Sequence, residues 1–128
     1  MKQIISQQAP AAIGPYSQAI QAGNILYCSG QIGLNPESGA LRDGLKPQTE
    51  QVFQNISKVL AEAGMSFENV VKTTVFLTDM TNFTAVNTIY QQFFVNPFPA
   101  RSCVAVRELP KGALVEVECI AVKETYCE

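Results

Sequence analysis

Arg101 follows Pro97-Phe98-Pro99-Ala100, a stiff apolar approach that fixes where a guanidinium at the head of a strand would stand. A guanidinium held that way matches a carboxylate with two parallel hydrogen bonds. The alternative is a structural arginine ion-paired to a neighbouring strand. Glu116 and Glu118 alternate with Val115, Val117 and Cys119, so both carboxylates project from one face of their strand, about 6.8 Å apart. They are either available for chemistry or simply the polar face of a half-buried strand. Asn87 falls on the inner stripe of a helix, one turn after Phe83, where an unpartnered amide would cost about 1–3 kcal/mol. It therefore bonds to backbone or faces a pocket. Tyr16 follows Gly14-Pro15, and Ser29-Gly30-Gln31 follows a short apolar run, which places a hydroxyl and unhindered backbone N–H groups at a strand end. Read blandly, the first is a turn and the second a strand terminator.

The types that are missing narrow the chemistry further. With no histidine in 128 residues, Ser-His and Cys-His nucleophile pairs are excluded, and any catalysis must use carboxylates, tyrosine, arginine, backbone groups or bound water. Cys28, Cys103, Cys119 and Cys127 form no C-x-x-C pair and have no histidine to complete a zinc set, so no metal site is expected. Without a secretory leader they read as reduced thiols, mostly buried as small apolar residues. The net charge is -2 and the basic residues are scattered, so nucleic acid is not an expected partner. No apolar stretch approaches a membrane span, and the expected compartment is the cytoplasm. Charged residues make up only 16% of the chain, below the roughly 25% of an average soluble domain. A surface so poor in charge suggests an interface to cover, hence an oligomer.

The elements that must position these residues follow from apolar spacing. Glycines and prolines punctuate the first third, with Ile25-Leu26-Tyr27-Cys28 between them, which suits short strands and turns. Val52, Phe53, Ile56, Val59, Leu60 and Ala63 line one face of a helix that has Pro47 in its first turn and Gly64 as its stop. Val70 to Leu77 is rich in β-branched residues and reads as a strand. Asp79, Thr81 and Asn82 offer N-cap chemistry for a second helix with Phe83, Val86, Tyr90, Phe93 and Phe94 inside, ended by Pro97 and Pro99. Ser102 to Val106 and Leu114 to Val122 then read as strands joined at Leu109-Pro110-Lys111-Gly112. The class is α+β, one domain over residues 1–128, with two helices on one face of a mixed sheet. The other face, carrying Val, Ile and Cys, would need another subunit. If the last two strands form a simple hairpin, Arg101 lies opposite Ile120, roughly 13 Å from Glu116. The two could then share a small substrate only across a subunit boundary, and Glu118 would be the natural structural partner of Arg101.

Five segments together carry a resemblance. They are Ala11-Ala12-Ile13-Gly14-Pro15-Tyr16-Ser17-Gln18-Ala19, Ser29-Gly30-Gln31-Ile32, Thr74-Val75-Phe76-Leu77-Thr78-Asp79-Met80, Pro99-Ala100-Arg101-Ser102, and Leu109-Pro110 through Val115-Glu116-Val117-Glu118-Cys119-Ile120-Ala121. In this order and spacing the chain resembles the reactive intermediate deaminase (RidA, YjgF-like) family over nearly its whole length. The resemblance implies a chorismate-mutase-like fold assembled as a homotrimer, with a central barrel, helices outside and a site in each cleft between subunits. It further implies hydrolysis of 2-iminobutanoate and 2-iminopropanoate to 2-oxo acids and ammonia, without a cofactor. The family's substrate arginine maps to Arg101 and its water-positioning glutamate to Glu116. Its pocket positions fall on Tyr16, Ser29, Gly30, Asn87 and Cys103. Arg107-Glu108 departs from the family pattern of a small and then a basic residue.

On that basis Arg101 binds the substrate carboxylate, backbone groups near Gly30 and Cys103 orient the imine, and Glu116 aligns a water for attack. Three other readings stand beside this one. The clefts could hold 2-oxo acids or regulatory partners without turnover. RNA cleavage or translation inhibition is attributed to members of the family, although the acidic charge and missing histidine argue against it. Chorismate mutase activity rests on fold analogy alone.

Overall fold

In the computed structural model, which describes residues 1–124, six strands form one sheet in the order β1-β2-β3-β6-β4-β5. The strands are β1 (Lys2–Ile4), β2 (Ala19–Ala22), β3 (Ile25–Ile32), β4 (Val70–Leu77), β5 (Ala100–Ala105) and β6 (Val115–Val122). The helices are α1 (Leu45–Glu62) and α2 (Phe83–Phe93). Neighbours pair antiparallel except β4 and β5, which run parallel. A parallel pair needs a crossover, and α2 supplies it. The expected α+β class, with a mixed sheet and two helices, is what the chain forms.

α1 turns Val52, Phe53, Ile56, Val59 and Leu60 inward, and Gly64 ends it at φ 72°, the left-handed conformation in which a Cβ is penalised. Asp79 caps a short 3-10 turn ahead of α2 by accepting from the Thr81 amide at 2.9 Å. The Thr81 amide and, at 2.7 Å, the Thr81 hydroxyl both donate to Asp79, and these two bonds hold its carboxyl below its ordinary range. Val86, Ile89, Tyr90 and Phe94 face the core, with Phe53 of α1 among them. Beneath lie Val75 and Leu77 of β4 and Val115, Val117, Cys119 and Ala121 of β6, all buried. The intervening Glu116, Glu118 and Ile120 therefore point to the opposite, open face.

Three expectations are corrected. The last two strands are not a hairpin. β6 lies between β3 and β4, whereas β5 pairs with the far side of β4. The loop 106–114 passes the end of β4, where Val106 donates to Leu77 O at 2.7 Å and Thr78 donates to Leu114 O at 3.3 Å. Arg101 consequently pairs with Thr73 of β4 rather than with Ile120, which removes Glu118 as its partner. Second, Ser29-Gly30-Gln31 lies inside β3, at a bulge between Cys28 and Gln31. The extra residue bends the strand without terminating it. Third, the cysteines do not furnish the open face. Cys28 and Cys119 are buried opposite one another, and Cys103 pairs with Val75 on the helix side. The open face carries Tyr27 and Val104, which are exposed, with Ile120 between them in the sheet. Cys127 lies outside the described residues.

Candidate active site

Arg101 stands on the exposed edge strand β5, on the side that faces α2. Its Nη1 donates to Asn87 Oδ1 at 2.6 Å. Its guanidinium carbon lies 4.8 Å from the centre of the Tyr90 ring and 5.4 Å from that of Phe83, within the range of cation–π attraction. Phe83, Asn87 and Tyr90 are spaced four and three residues apart, so one stripe of α2 supplies all three contacts. The hydrogen bond goes to a neutral amide, which among the described residues leaves the positive charge uncompensated and available to an anion. A cavity of about 470 Å³ opens beside it, lined by Asn87, Tyr90, Gln91, Phe98, Pro99 and Arg101.

Cys103 lies two residues from Arg101 and packs against the core instead. It lines neither this cavity nor the one described next. Burial raises its thiol pKa, and the nearby Arg101 charge works in the other direction.

A second cavity, of about 460 Å³, gathers Tyr16, Ser29, Gly30 and Glu116 with an apolar surround that includes Ile13, Ile32 and Leu34. Glu116 is half-buried on the open face, and its carboxylate lies over Gly30. A Cβ built on Gly30 would sit 2.6 Å from Glu116 Oε2, so a residue without a side chain is what lets the carboxylate lie there. Burial lifts the Glu116 pKa, and Glu118 two residues along the strand lifts it further. Both effects disfavour the anion and move proton exchange toward neutral pH.

The loop above this cavity is tied to the sheet by side chains. Gln18, which is buried, accepts from the Ser6 amide at 2.6 Å and donates to Pro10 O at 2.8 Å. Ser29 Oγ donates to Ser17 O at 2.6 Å. Tyr16 is thereby set at the rim, 52% exposed. Sequence reading singled out Ser29 but not Gln18, and in the first cavity Tyr90 and Phe83 only as core residues. Their spacing from Asn87 was the available signal.

The two cavities do not meet in one chain. Arg101 is level with Thr73 and Cys119, whereas Glu116 is level with Phe76. Three residues along the strands and two strands across separate them by ~14 Å between Cα atoms. Because three is odd, their side chains leave opposite faces. The hairpin geometry was wrong, but in the observed register, too, one chain does not bring the two side chains to one small ligand.

Among the described residues no group of three or more His, Cys, Asp and Glu is placed to hold a metal ion. No helix there is long and apolar enough to cross a membrane. Fold and site together define an α+β protein with a bare sheet face, an uncompensated arginine on its edge and a raised-pKa carboxylate on the open side.

Comparison with known proteins gives that class a family. The model described as Endoribonuclease L-PSP matches residues 6–123. The 2-iminobutanoate/2-iminopropanoate deaminase of Mus musculus is 49% identical over 126 residues, covering 98% of this chain and 93% of that protein. The crystal structure of RidA from an Antarctic Psychrobacter superposes with a TM-score of 0.94 at 46% identity, covering 96% of this chain and all, 100%, of that one. Escherichia coli TdcF with bound serine superposes with a TM-score of 0.92 at 38% identity, covering 97% and 100% of the two chains. The chain belongs to the RidA/YjgF/L-PSP family.

Proposed function

We propose that this protein hydrolyses 2-imino acids such as 2-iminobutanoate and 2-iminopropanoate to 2-oxo acids and ammonia, in a site completed by two copies of the chain arranged as a homotrimer. The bare sheet face gives a second copy a place to pack, and a cyclic trimer built on it would set the arginine cavity of one copy against the glutamate cavity of the next. Arg101 grips the substrate carboxylate through its free N–H groups, with Asn87 keeping the fork in place. Backbone groups near Gly30 orient the C=N group, with Tyr16 and Ser29 at the rim. Cys103 contributes through its backbone, since its side chain is turned to the core.

Glu116 accepts a hydrogen bond from a water and aligns it with the imine carbon. As the water oxygen bonds to that carbon and the C=N π electrons move to nitrogen, Glu116 takes a proton from the water and passes it to the nitrogen. The resulting carbinolamine gives its hydroxyl proton to the amino group by way of the same carboxylate, and ammonia leaves as the C=O forms. Imines hydrolyse in water unaided, so alignment and a carboxylate of raised pKa are sufficient catalysis. The identity to the mouse deaminase supports the substrate class, and the serine bound by TdcF supports a small carboxylate ligand.

The observation that carries the reading is an arginine held by neutral groups, with its charge left for a ligand. The test is semicarbazide trapping of 2-iminobutanoate generated in situ. The protein should speed loss of the trappable imine. Binding of 2-oxobutanoate with no acceleration would instead indicate a protein that holds 2-oxo acids without turnover.

A further inference from the structure

Tyr90 is buried, and its hydroxyl shares a buried 2.8 Å hydrogen bond with Thr73 Oγ1. Thr73 is completely buried, at 0% exposure, on β4. The register partner of Thr73 across the parallel pair is Arg101, and the guanidinium of Arg101 lies over the Tyr90 ring. The three residues thus close a loop. Arg101 is beside Thr73 through the backbone, Thr73 is bonded to Tyr90 through hydroxyls, and Tyr90 meets Arg101 through its π face.

A polar pair at this depth needs a reason. Valine and phenylalanine would fill nearly the same volume, and replacing both partners of a buried hydrogen bond by apolar groups of the same shape can be close to neutral for stability. What valine and phenylalanine would not supply is an anchor for the far end of the ring. Packing against Phe53 and Phe94, with ring centres 5.6 and 4.5 Å away, sets the plane of the Tyr90 ring, and the hydroxyl, which lies on the χ2 axis, pins its tip to Thr73 and stops it swinging about χ1. The Arg101 guanidinium, which donates to Asn87, rests over that ring, so the position of the fork depends on the position of the ring. Burial raises the Tyr90 pKa, against the opposing effects of the Thr73 bond and the Arg101 charge.

We infer that Thr73 and Tyr90 are positioning residues for Arg101: the Thr73–Tyr90 hydrogen bond sets the ring on which the guanidinium rests and so sets the direction of the carboxylate-binding fork. The inference rests on the proposed role of Arg101 as the carboxylate ligand. Thr73 does not line the cavity, and Tyr90 lines it with its hydroxyl committed to Thr73, so both act through Arg101. Loss of the bond should loosen the fork, weakening carboxylate binding more than it slows the chemical step.

The experiment measures 2-oxobutanoate affinity by NMR titration of the full chain as T73V, Y90F, T73V/Y90F and T73S, each also in an R101A background. T73V and Y90F should each weaken binding about three- to tenfold, and the double variant no further, since both remove the same bond. T73S keeps a hydroxyl and should bind as the wild type does. In the R101A background T73V and Y90F should have no effect. For KM and kcat on 2-iminobutanoate, the rise should fall mainly on KM. Relaxation of the Arg101 side-chain Nε signal in unliganded Y90F should show increased motion, a readout that needs no ligand and no threonine substitution. Wild-type affinity and wild-type Arg101 dynamics in Y90F would overturn the inference, as would equal losses with and without Arg101. If R101A itself binds 2-oxobutanoate normally, the role of Arg101 as carboxylate ligand fails first, and the positioning role with it.

Discussion

The arginine cavity and the glutamate cavity solve opposite electrostatic problems. At the edge of β5 Arg101 meets an amide and two aromatic rings, none of which carries a formal charge. On the open face Glu116 is half-buried beside a like charge. Among the described residues the first arrangement leaves a charge unpaired, and the second makes a charge harder to keep. The two stand on opposite faces of one sheet, which is why the proposed site takes one half from each of two copies.

The sharpest way to break the comparison is to delete the arginine. R101A should lose on the order of 2–4 kcal/mol of transition-state stabilisation, about 30- to 1000-fold in kcat/KM in the imine-trapping assay. Near-normal turnover would remove the arginine cavity from the mechanism.

Two glycines distinguish the glutamate cavity from its scaffold. A Cβ on Gly30 would meet the Glu116 carboxylate at 2.6 Å, so G30A should lower kcat on the order of tenfold by displacing that carboxylate, with little change in melting temperature. A Cβ on Gly33 would meet the backbone of Gln48 in α1 at 2.6 and 2.7 Å. G33A should therefore cost about 1–3 kcal/mol of stability in denaturant unfolding, with activity per folded molecule retained. Equal effects of the two on stability would erase the distinction.

N87D tests the neutral clamp. A carboxylate 2.6 Å from Nη1 would compensate the charge that the substrate needs, and KM should rise about fivefold to tenfold with kcat changed less. The smallest effect concerns pH. Activity that needs anionic Glu116 falls as pH drops through its pKa, and burial and Glu118 place that pKa above the ordinary carboxylate value. E118Q removes the like charge, so the acid limb of kcat/KM should move to lower pH. Movement to higher pH would mean that Glu118 acts by another route.

Local patterns foretold the elements well. The β-branched run Val70–Leu77 is β4 to the residue, and the stripe from Val52 to Leu60 is the buried face of α1. These features are set by the chain's own periodicity. Pairing was not legible, because which strands become neighbours depends on α2 carrying β5 past β4, and periodicity is blind to that crossover. A turn-like Leu109-Pro110-Lys111-Gly112 looks the same whether it closes a hairpin or lets the chain pass the end of another strand. Of the candidate-site residues, Arg101, Asn87, Tyr16, Gly30 and Glu116 were visible as types out of place. Tyr90 was hidden because an aromatic residue on an inner stripe reads as core, and only the structure shows Arg101 lying over its ring. Cys103 was singled out by resemblance, yet its side chain packs into the core.

Subunit mixing tests the account most directly. R101A and E116A each lack one half of every site and should be nearly inactive alone. Co-refolded in equal amounts, they should form trimers in which an intact arginine half meets an intact glutamate half at about one interface in four, restoring about a quarter of wild-type activity. A mixture as inactive as its components, or a wild-type protein that runs as an active monomer, would contradict a site built from two copies.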